Sequence, residues 1–124
     1  MRSLQIMVVE DDDSIREMIH LALEAEGHTP IGAVNGEDAL EQLRSLRPDV
    51  ILLDLRMPVV DGVEFLDRYP ASGGHAPIVL LTAGRDLAEA RGLGTAELVE
   101  KPFDLDDLLA TVERVGQGDA VAAD

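Results

Sequence analysis

Short, continuous apolar runs constrain the fold of this chain more than any other feature of its sequence. Four of them, residues 6–9, 50–53, 78–81 and 98–99, do not alternate apolar with polar side chains. That pattern is typical of strands that are covered on both faces, as in a parallel sheet. Residues 30–33 form a weaker fifth candidate, because helical patterns flank them on both sides.

Apolar residues at helical spacing follow each predicted strand, so the order β–α repeats five times. The first predicted helix is capped by Asp13 or Ser14 and ended by Gly27. The second and third end before Pro48 and Pro70, respectively. The fourth is short and runs from Asp86 to about Leu93, and the last is capped by Asp104. Such units form a parallel sheet with helices on both faces, and ligands bind beyond the carboxyl ends of its strands.

Length and composition indicate one domain and exclude several classes of function. We expect residues 1–115 to form the domain and residues 116–124 to be a flexible, acidic C-terminal tail. The net charge of -15 and the scarcity of aromatic residues argue against nucleic-acid binding. Without cysteine, a signal peptide or a membrane-length apolar run, a cytoplasmic protein with no membrane contact is the simplest interpretation.

Polar side chains follow four of the predicted strands at the point where each strand ends. Glu10 and Asp11 follow the first strand, Asp54 the third, Thr82 the fourth and Lys101 the fifth. Each residue alone has an ordinary explanation, such as a helix cap, a turn or an exposed side chain. Their coincidence at one edge of the sheet is poorly explained in that way, and it indicates a functional site.

Clustered carboxylates predict a divalent cation and phosphoryl chemistry at this edge. Two unit charges about 5 Å apart repel by roughly 3 kcal/mol at an effective dielectric constant of about 20. Mg²⁺ or Mn²⁺ offsets such repulsion and prefers oxygen ligands. The carboxylate of Asp54 can then attack phosphorus, while Lys101 and the Thr82 hydroxyl stabilise the remaining phosphoryl oxygens.

Four motifs together resemble the receiver domains of two-component response regulators. They are residues 8–16, 51–62, 80–83 and 99–103, and the resemblance extends over about residues 4–115. It implies a flavodoxin-like α/β fold, a doubly wound (βα)5 three-layer sandwich with the parallel strand order 2-1-3-4-5.

The resemblance also implies a role for each site residue, with Asp54 as the phosphoacceptor. For the metal, the implied ligands are Asp11, Asp54, the backbone carbonyl of Arg56 and, through water, Glu10. For the phosphoryl group, they are Thr82, Lys101 and the backbone amide of Ala83. A histidine kinase or phosphotransfer protein would supply the phosphoryl group, and the domain would catalyse its own phosphorylation and dephosphorylation. The expected partners include a downstream protein target, and the expected state is a monomer or weak homodimer.

The sequence departs from the family pattern at two points and leaves one role open. Leu98 occupies the switch position, where the family usually has Tyr or Phe, so the familiar aromatic switch cannot operate in that form. Thr82 and Lys101 are closer in sequence than the family pattern leads us to expect, which predicts a short or partly unwound fourth helix and weakens the case for dimerisation there. The Arg56 side chain either pairs with nearby acids or contacts the phosphoryl group and changes its lifetime.

Three alternative functions remain at this stage. A pseudo-receiver that is never phosphorylated would serve as a docking module. A phosphatase of the haloacid dehalogenase type would need a second Asp two residues after the nucleophile, where this chain has Arg56. A flavodoxin would need a phosphate-binding loop after the first strand, where this chain is acidic.

No output domain follows in the sequence, so we expect a stand-alone regulator, a phosphorelay component or part of a longer protein.

Overall fold

The five strands form one parallel sheet in the order β2-β1-β3-β4-β5. The computed structural model describes residues 2–122, with side chains described for residues 2–118. The strands are β1 (Gln5–Val9), β2 (Thr29–Ala33), β3 (Val50–Asp54), β4 (Ile78–Ala83) and β5 (Glu97–Lys101). The predicted flavodoxin-like fold and strand order are confirmed, including the weaker strand at residues 30–33.

Five helices cover the two faces of the sheet. They are α1 (Asp13–Ala25), α2 (Gly36–Gln42), α3 (Gly62–Ala71), α4 (Leu87–Arg91) and α5 (Leu105–Ala122). A 3-10 turn (Gly84–Asp86) precedes α4, and α5 is interrupted at Gly118. Helices α1 and α5 pack on one face, where they bury Ile19, Leu23, Leu108 and Val112. Helices α2, α3 and α4 pack on the other face, where they bury Ala39, Phe65 and Ala90.

Strand β3 has no solvent-exposed face, which explains its uninterrupted apolar sequence. Val50 and Leu52 belong to the core beneath α1 and α5, whereas Ile51 and Leu53 belong to the core beneath α2, α3 and α4. Truncation of a buried leucine to alanine costs about 2–5 kcal/mol. The strand is therefore strongly fixed in register, and this fixes the position of Asp54 at its end.

Two helix boundaries differ from those predicted. Asp12 caps α1, since its side chain accepts a hydrogen bond from the backbone N–H of Ile15 at 3.0 Å, so the predicted cap at Asp13 or Ser14 is wrong. Helix α3 contains Pro70, contrary to the prediction that it ends before that residue. Pro70 is the residue before the last one of α3, so its missing N–H removes a single hydrogen bond from the final turn and leaves the earlier turns intact.

Helix α5 continues beyond the predicted domain boundary at residue 115. Gly116 lies inside the helix, and a Cβ atom built there would lie 2.8 Å from a methyl group of Leu4 and 3.2 Å from one of Val50. Gly116 therefore belongs to α5, and the flexible acidic tail expected for residues 116–124 stays a prediction. Residues 123–124 and the side chains of residues 119–122 lie outside the described part of the protein. Within the described residues, no helix is both long enough and apolar enough to span a membrane.

Candidate functional site

The carboxyl ends of β1 and β3 bring three acidic side chains together. Val9 is in register with Leu53 on the neighbouring parallel strand, so the residues that follow them lie side by side. Carboxylate oxygens of Glu10, Asp11 and Asp54 all lie within 4.8 Å of one another. The structure thus assembles the acidic cluster that the sequence predicts.

Glu10 is the most deeply buried member of this cluster, with 1% of its surface exposed. Its Oε2 atom accepts a hydrogen bond from the backbone N–H of Asp12 at 3.1 Å, while Oε1 has no hydrogen-bond partner among the described residues. Burial, reinforced by the nearby charge of Asp54, raises the pKa of Glu10 to about 7. A buried oxygen without a partner is costly, so this site fits a divalent cation or a water molecule bound to one.

Lys101 supplies the positive charge nearest to Asp54. Its Nζ atom lies 3.0 Å from Oδ1 of Asp54, whose side chain is 5% exposed. Lys101 is in register with Ala83 on β4, so its side chain extends across that strand to reach β3. The bond from Lys101 to Pro102 is a cis peptide. The predicted meeting of Lys101 and Asp54 is therefore observed.

Thr82 and Ala83 form the β4 side of the site. The backbone N–H of Leu55 donates to the Leu81 carbonyl at 3.0 Å, which places the ends of β3 and β4 side by side. Thr82 is buried, and its hydroxyl donates to the carbonyl of Ala83 at 3.2 Å. Thr82 thus lies beside the end of β3, with its hydroxyl bonded to its own strand.

The Arg56 side chain pairs with two acids from the 3-10 turn and α4. Its Nη2 atom lies 3.0 Å from Oδ1 of Asp86 and 2.6 Å from Oε1 of Glu89, and its Nε atom donates to Asp86 at 3.2 Å. The hydrogen bonds with Asp86 raise the pKa of Arg56 further, and they lower the pKa of Asp86. Of the two interpretations left open by the sequence, the structure shows pairing with acids. This contact ties the loop after β3 to α4.

The structure confirms the predicted short fourth helix and places Leu98 on the neighbouring strand β5. Leu98 lies on β5, is partly buried, and packs against the core beneath α2, α3 and α4. Helix α4 contains five residues and follows a three-residue 3-10 turn, as the short spacing predicts. The role of Leu98 as the switch position stays a prediction.

Three residues that contribute to the site were not predicted from the sequence. Asp12 donates its backbone N–H to Glu10, and Asp86 and Glu89 hold Arg56. Asp86 and Glu89 are three residues apart, the spacing of one helix face, which was a signal that both could meet one partner. The identity of that partner depends on where α4 lies against the loop after β3, which the sequence does not state.

Comparison with known proteins connects this geometry to a family. The family model described as response regulator receiver domain matches residues 6–113. Regulatory protein AtoC of Escherichia coli (strain K12) is 36% identical over 116 residues, which cover 91% of this chain and 25% of that protein. Response regulator MprA of Mycobacterium ulcerans (strain Agy99) is 40% identical over 111 residues, which cover 87% of this chain and 48% of that protein. The chain thus spans from a quarter to about half of the length of these curated relatives.

Solved structures show the same similarity over nearly the whole chain. The receiver domain of Francisella response regulator 1452 has a TM-score of 0.85 and 26% sequence identity, and the match covers 93% of this chain and 98% of that one. Chemotaxis response regulator CheY4 of Vibrio cholerae has a TM-score of 0.82 and 31% identity, with 92% of this chain and 99% of that one covered.

Proposed function

Since this chain belongs to the receiver domains of two-component response regulators, we propose that Asp54 accepts a phosphoryl group from a histidine kinase or phosphotransfer protein. The observation that carries this proposal is the position of Asp54, whose carboxylate lies between an acidic cluster and the Lys101 ammonium. This arrangement places negative charge where a cation would bind and positive charge where the oxygens of the phosphoryl group would lie.

The residues around Asp54 fit an Mg²⁺ or Mn²⁺ ion. Asp11, Asp54 and the backbone carbonyl of Arg56 would hold the ion directly, and Glu10 would hold it through water. The buried Oε1 atom of Glu10, which has no partner in residues 2–118, supports this assignment. When bound, the cation supplies positive charge to the oxygens of the incoming phosphoryl group.

The side chains of this site would then act in a defined order. An Asp54 carboxylate oxygen attacks phosphorus, an acyl-phosphate P–O bond forms, and the P–N bond to the donor histidine breaks. Lys101 moves its hydrogen bond from the carboxylate to a phosphoryl oxygen. The Thr82 hydroxyl turns from the Ala83 carbonyl toward the phosphoryl group, and the backbone amide of Ala83 donates to a further oxygen. By this route the domain would catalyse its own phosphorylation and, with water as nucleophile, its own dephosphorylation.

Signal output would differ from the aromatic-switch pattern. Leu98 has no ring that could turn inward when Thr82 moves, so the response must pass through the 3-10 turn and α4, which adjoin Thr82 in the chain. The domain would present this changed surface to a downstream protein target, as a monomer or weak homodimer.

Phosphorylation by small-molecule donors tests the proposal directly. The protein is incubated with acetyl phosphate or phosphoramidate, with and without Mg²⁺, and its intact mass is measured. We expect a gain of one phosphoryl group that requires the metal and is abolished in Asp54→Ala. The matched control is Asp67→Ala, which removes an exposed aspartate on α3 and should leave the adduct unchanged.

Two outcomes would contradict the proposal. The absence of any adduct from both donors and from a cognate kinase would indicate a docking module that is never phosphorylated. Sustained hydrolysis of a phosphomonoester would indicate a phosphatase instead.

A further inference from the structure

A second candidate site lies at the edge of the sheet opposite the acidic cluster. It is a cavity of about 810 Å³, bounded by Arg2 and by the connections that follow α2 and α3. Asp49 lines it at the start of β3, and Asp54 ends the same strand. At about 3.3 Å per residue, the two ends lie about 17 Å apart, so this cavity is separate from the phosphoacceptor site.

The lining of this cavity is basic in a strongly acidic protein. The chain has 25 acidic residues and 10 Lys and Arg residues. Four of those basic residues line this one cavity: Arg2, Arg44, Arg47 and Arg68. Asp49 is the acidic residue that lines it with them. Three of these guanidinium groups are paired with acids, so the cavity offers an anion several N–H donors rather than a large net positive charge.

Arg47 is the guanidinium whose charge is least neutralised. Its Nη1 atom donates to the backbone carbonyls of Leu46 at 3.2 Å and Leu43 at 3.5 Å. Among the residues that the structure describes, it has no ion pair, unlike the other three arginines of the cavity. Arg47 therefore keeps its charge and several N–H donors for a ligand.

Arg44 and Arg68 can redirect toward an anion at little cost. Arg44 pairs with Glu41 at 3.3 Å, and Arg68 pairs with Glu37 and Glu64 at 3.3 Å each, all between side chains that are at least 43% exposed. Exposed ion pairs of this kind contribute about 0–1 kcal/mol. A ligand with several negative charges competes with them effectively.

The remaining walls combine an apolar surface with a closely packed turn. Leu40, Leu43 and Leu46 line one side, and Tyr69 lines the cavity near Gly74. A Cβ atom at Gly74 would collide with the Tyr69 ring, so a glycine is required for this close approach. Pockets for small molecules usually measure about 300–1,000 Å³ and combine apolar walls with a few polar anchors.

We propose that this cavity binds a small molecule with at least two phosphate groups, such as a nucleoside diphosphate, with Arg47 as its principal anchor. Guanidinium groups bind phosphate oxygens through paired hydrogen bonds, which suits a ligand with adjacent phosphates. The leucine wall would accommodate the apolar part of a nucleoside.

Titration of the ¹⁵N-labelled protein in EDTA tests this proposal, because chelation removes the metal that phosphate would need at Asp54. Inorganic pyrophosphate and ADP are the two probes. We expect amide shifts in residues 44–47, 49 and 72–76, and at least tenfold weaker binding in Arg47→Ala. Arg44→Ala provides a second variant at an exposed position. Arg91→Ala, which removes an exposed arginine of α4 outside the cavity, should change affinity less than twofold.

The result also identifies the source of the phosphates. Tighter binding of ADP than of pyrophosphate supports a nucleotide, and equal binding supports a site that recognises the diphosphate alone. Shifts spread over the surface, or equal losses in Arg47→Ala and Arg91→Ala, would overturn the proposal. Phosphorylation of Asp54 should be unchanged in Arg47→Ala, so failure here is distinguishable from failure of the proposed receiver function.

Discussion

The Lys101 ammonium lies 3.0 Å from Oδ1 of Asp54, and this contact joins the ends of β5 and β3 across the intervening strand. The lysine thus offsets the repulsion between Asp54 and the two acidic residues that follow β1, Glu10 and Asp11. Under the proposed function, the same amine would pair first with the free carboxylate and then with the phosphoryl group.

Replacement of Lys101 by alanine should slow phosphorylation of Asp54 by acetyl phosphate about tenfold to a hundredfold, since one charged donor to the transferred group is lost. Intact-mass measurements over time give the rate. Arg85→Ala is the matched control, because it removes an exposed cation near α4. Equal rates in the Lys101→Ala variant and the original protein would contradict the assigned role.

The metal-free protein should lose stability as pH rises from about 4.5 to 7, because of Glu10. Its pKa is raised to about 7 in the folded state, so the folded protein binds this proton more tightly than the unfolded chain. The resulting stabilisation is present at low pH and is lost as pH rises through the folded pKa. Relative to Glu10→Gln, the free energy of unfolding should fall by about 3 kcal/mol at most over this range.

Urea denaturation in EDTA at several pH values checks this difference. Other carboxylates titrate in both proteins, so the comparison isolates Glu10. Parallel pH profiles for the original protein and Glu10→Gln would show that burial does not shift this group.

Replacement of Val59 by asparagine should stabilise the fold. Val59 has a φ of 70° in the loop after β3 and is 75% exposed. Burial of its side chain therefore does little to offset the strain of this backbone conformation. The left-handed conformation costs an ordinary side chain about 1–2 kcal/mol, and asparagine tolerates it better. We expect a gain of about 1 kcal/mol in thermal or urea unfolding. Val34→Asn, another exposed valine without positive φ, should give no gain.

His28 should contribute substantially to stability because its buried ring connects β1 with α5. Its Nδ1 atom accepts a hydrogen bond from the backbone N–H of Leu4 at 3.1 Å, so the neutral ring carries its proton on Nε2 and donates to Glu113 at 2.9 Å. His28→Ala leaves both partners unsatisfied and should cost about 2–4 kcal/mol in urea denaturation. His20→Ala, at a more exposed position, should change stability by less than about 0.5 kcal/mol.

Arg56→Ala should shorten the lifetime of the acyl phosphate several-fold. The substitution releases the loop after β3 from Asp86 and Glu89, and a looser loop admits water to Asp54 more readily. Loss of phosphate from the phosphorylated protein, followed by intact mass, gives the rate. Identical rates in Arg56→Ala and the original protein would exclude a role for this side chain in acyl-phosphate lifetime.

The sequence predicts the sheet and the acidic site well, because both depend on strong local patterns. Uninterrupted apolar runs identify strands buried on two faces, and parallel strands necessarily bring their carboxyl ends to one edge. Glu10, Asp54 and Lys101 therefore meet as predicted, although they are far apart in the chain.

Helix limits and side-chain partners are less predictable, since neighbouring elements decide them. Asp12, Asp13 and Ser14 are all good caps, and the geometry at the end of β1 selects the first. Gly116 is a helix breaker by propensity, yet Leu4 and Val50 leave no room for a Cβ atom at this position of α5, so the close packing of the helix requires glycine there. The basic cavity was not predicted, because its arginines come from separate segments of the chain.

Helix α4 contains five residues, little more than one turn. Isolated helices shorter than about 12–15 residues are marginal in water, so this turn depends on contacts outside itself, including those that Arg56 makes with Asp86 and Glu89. A charge added at Asp54 could therefore act by melting this turn, whereas a longer helix would have to tilt as a rigid body. The resulting signal would be a change between order and disorder, in which a partner protein would lose the folded surface that it binds.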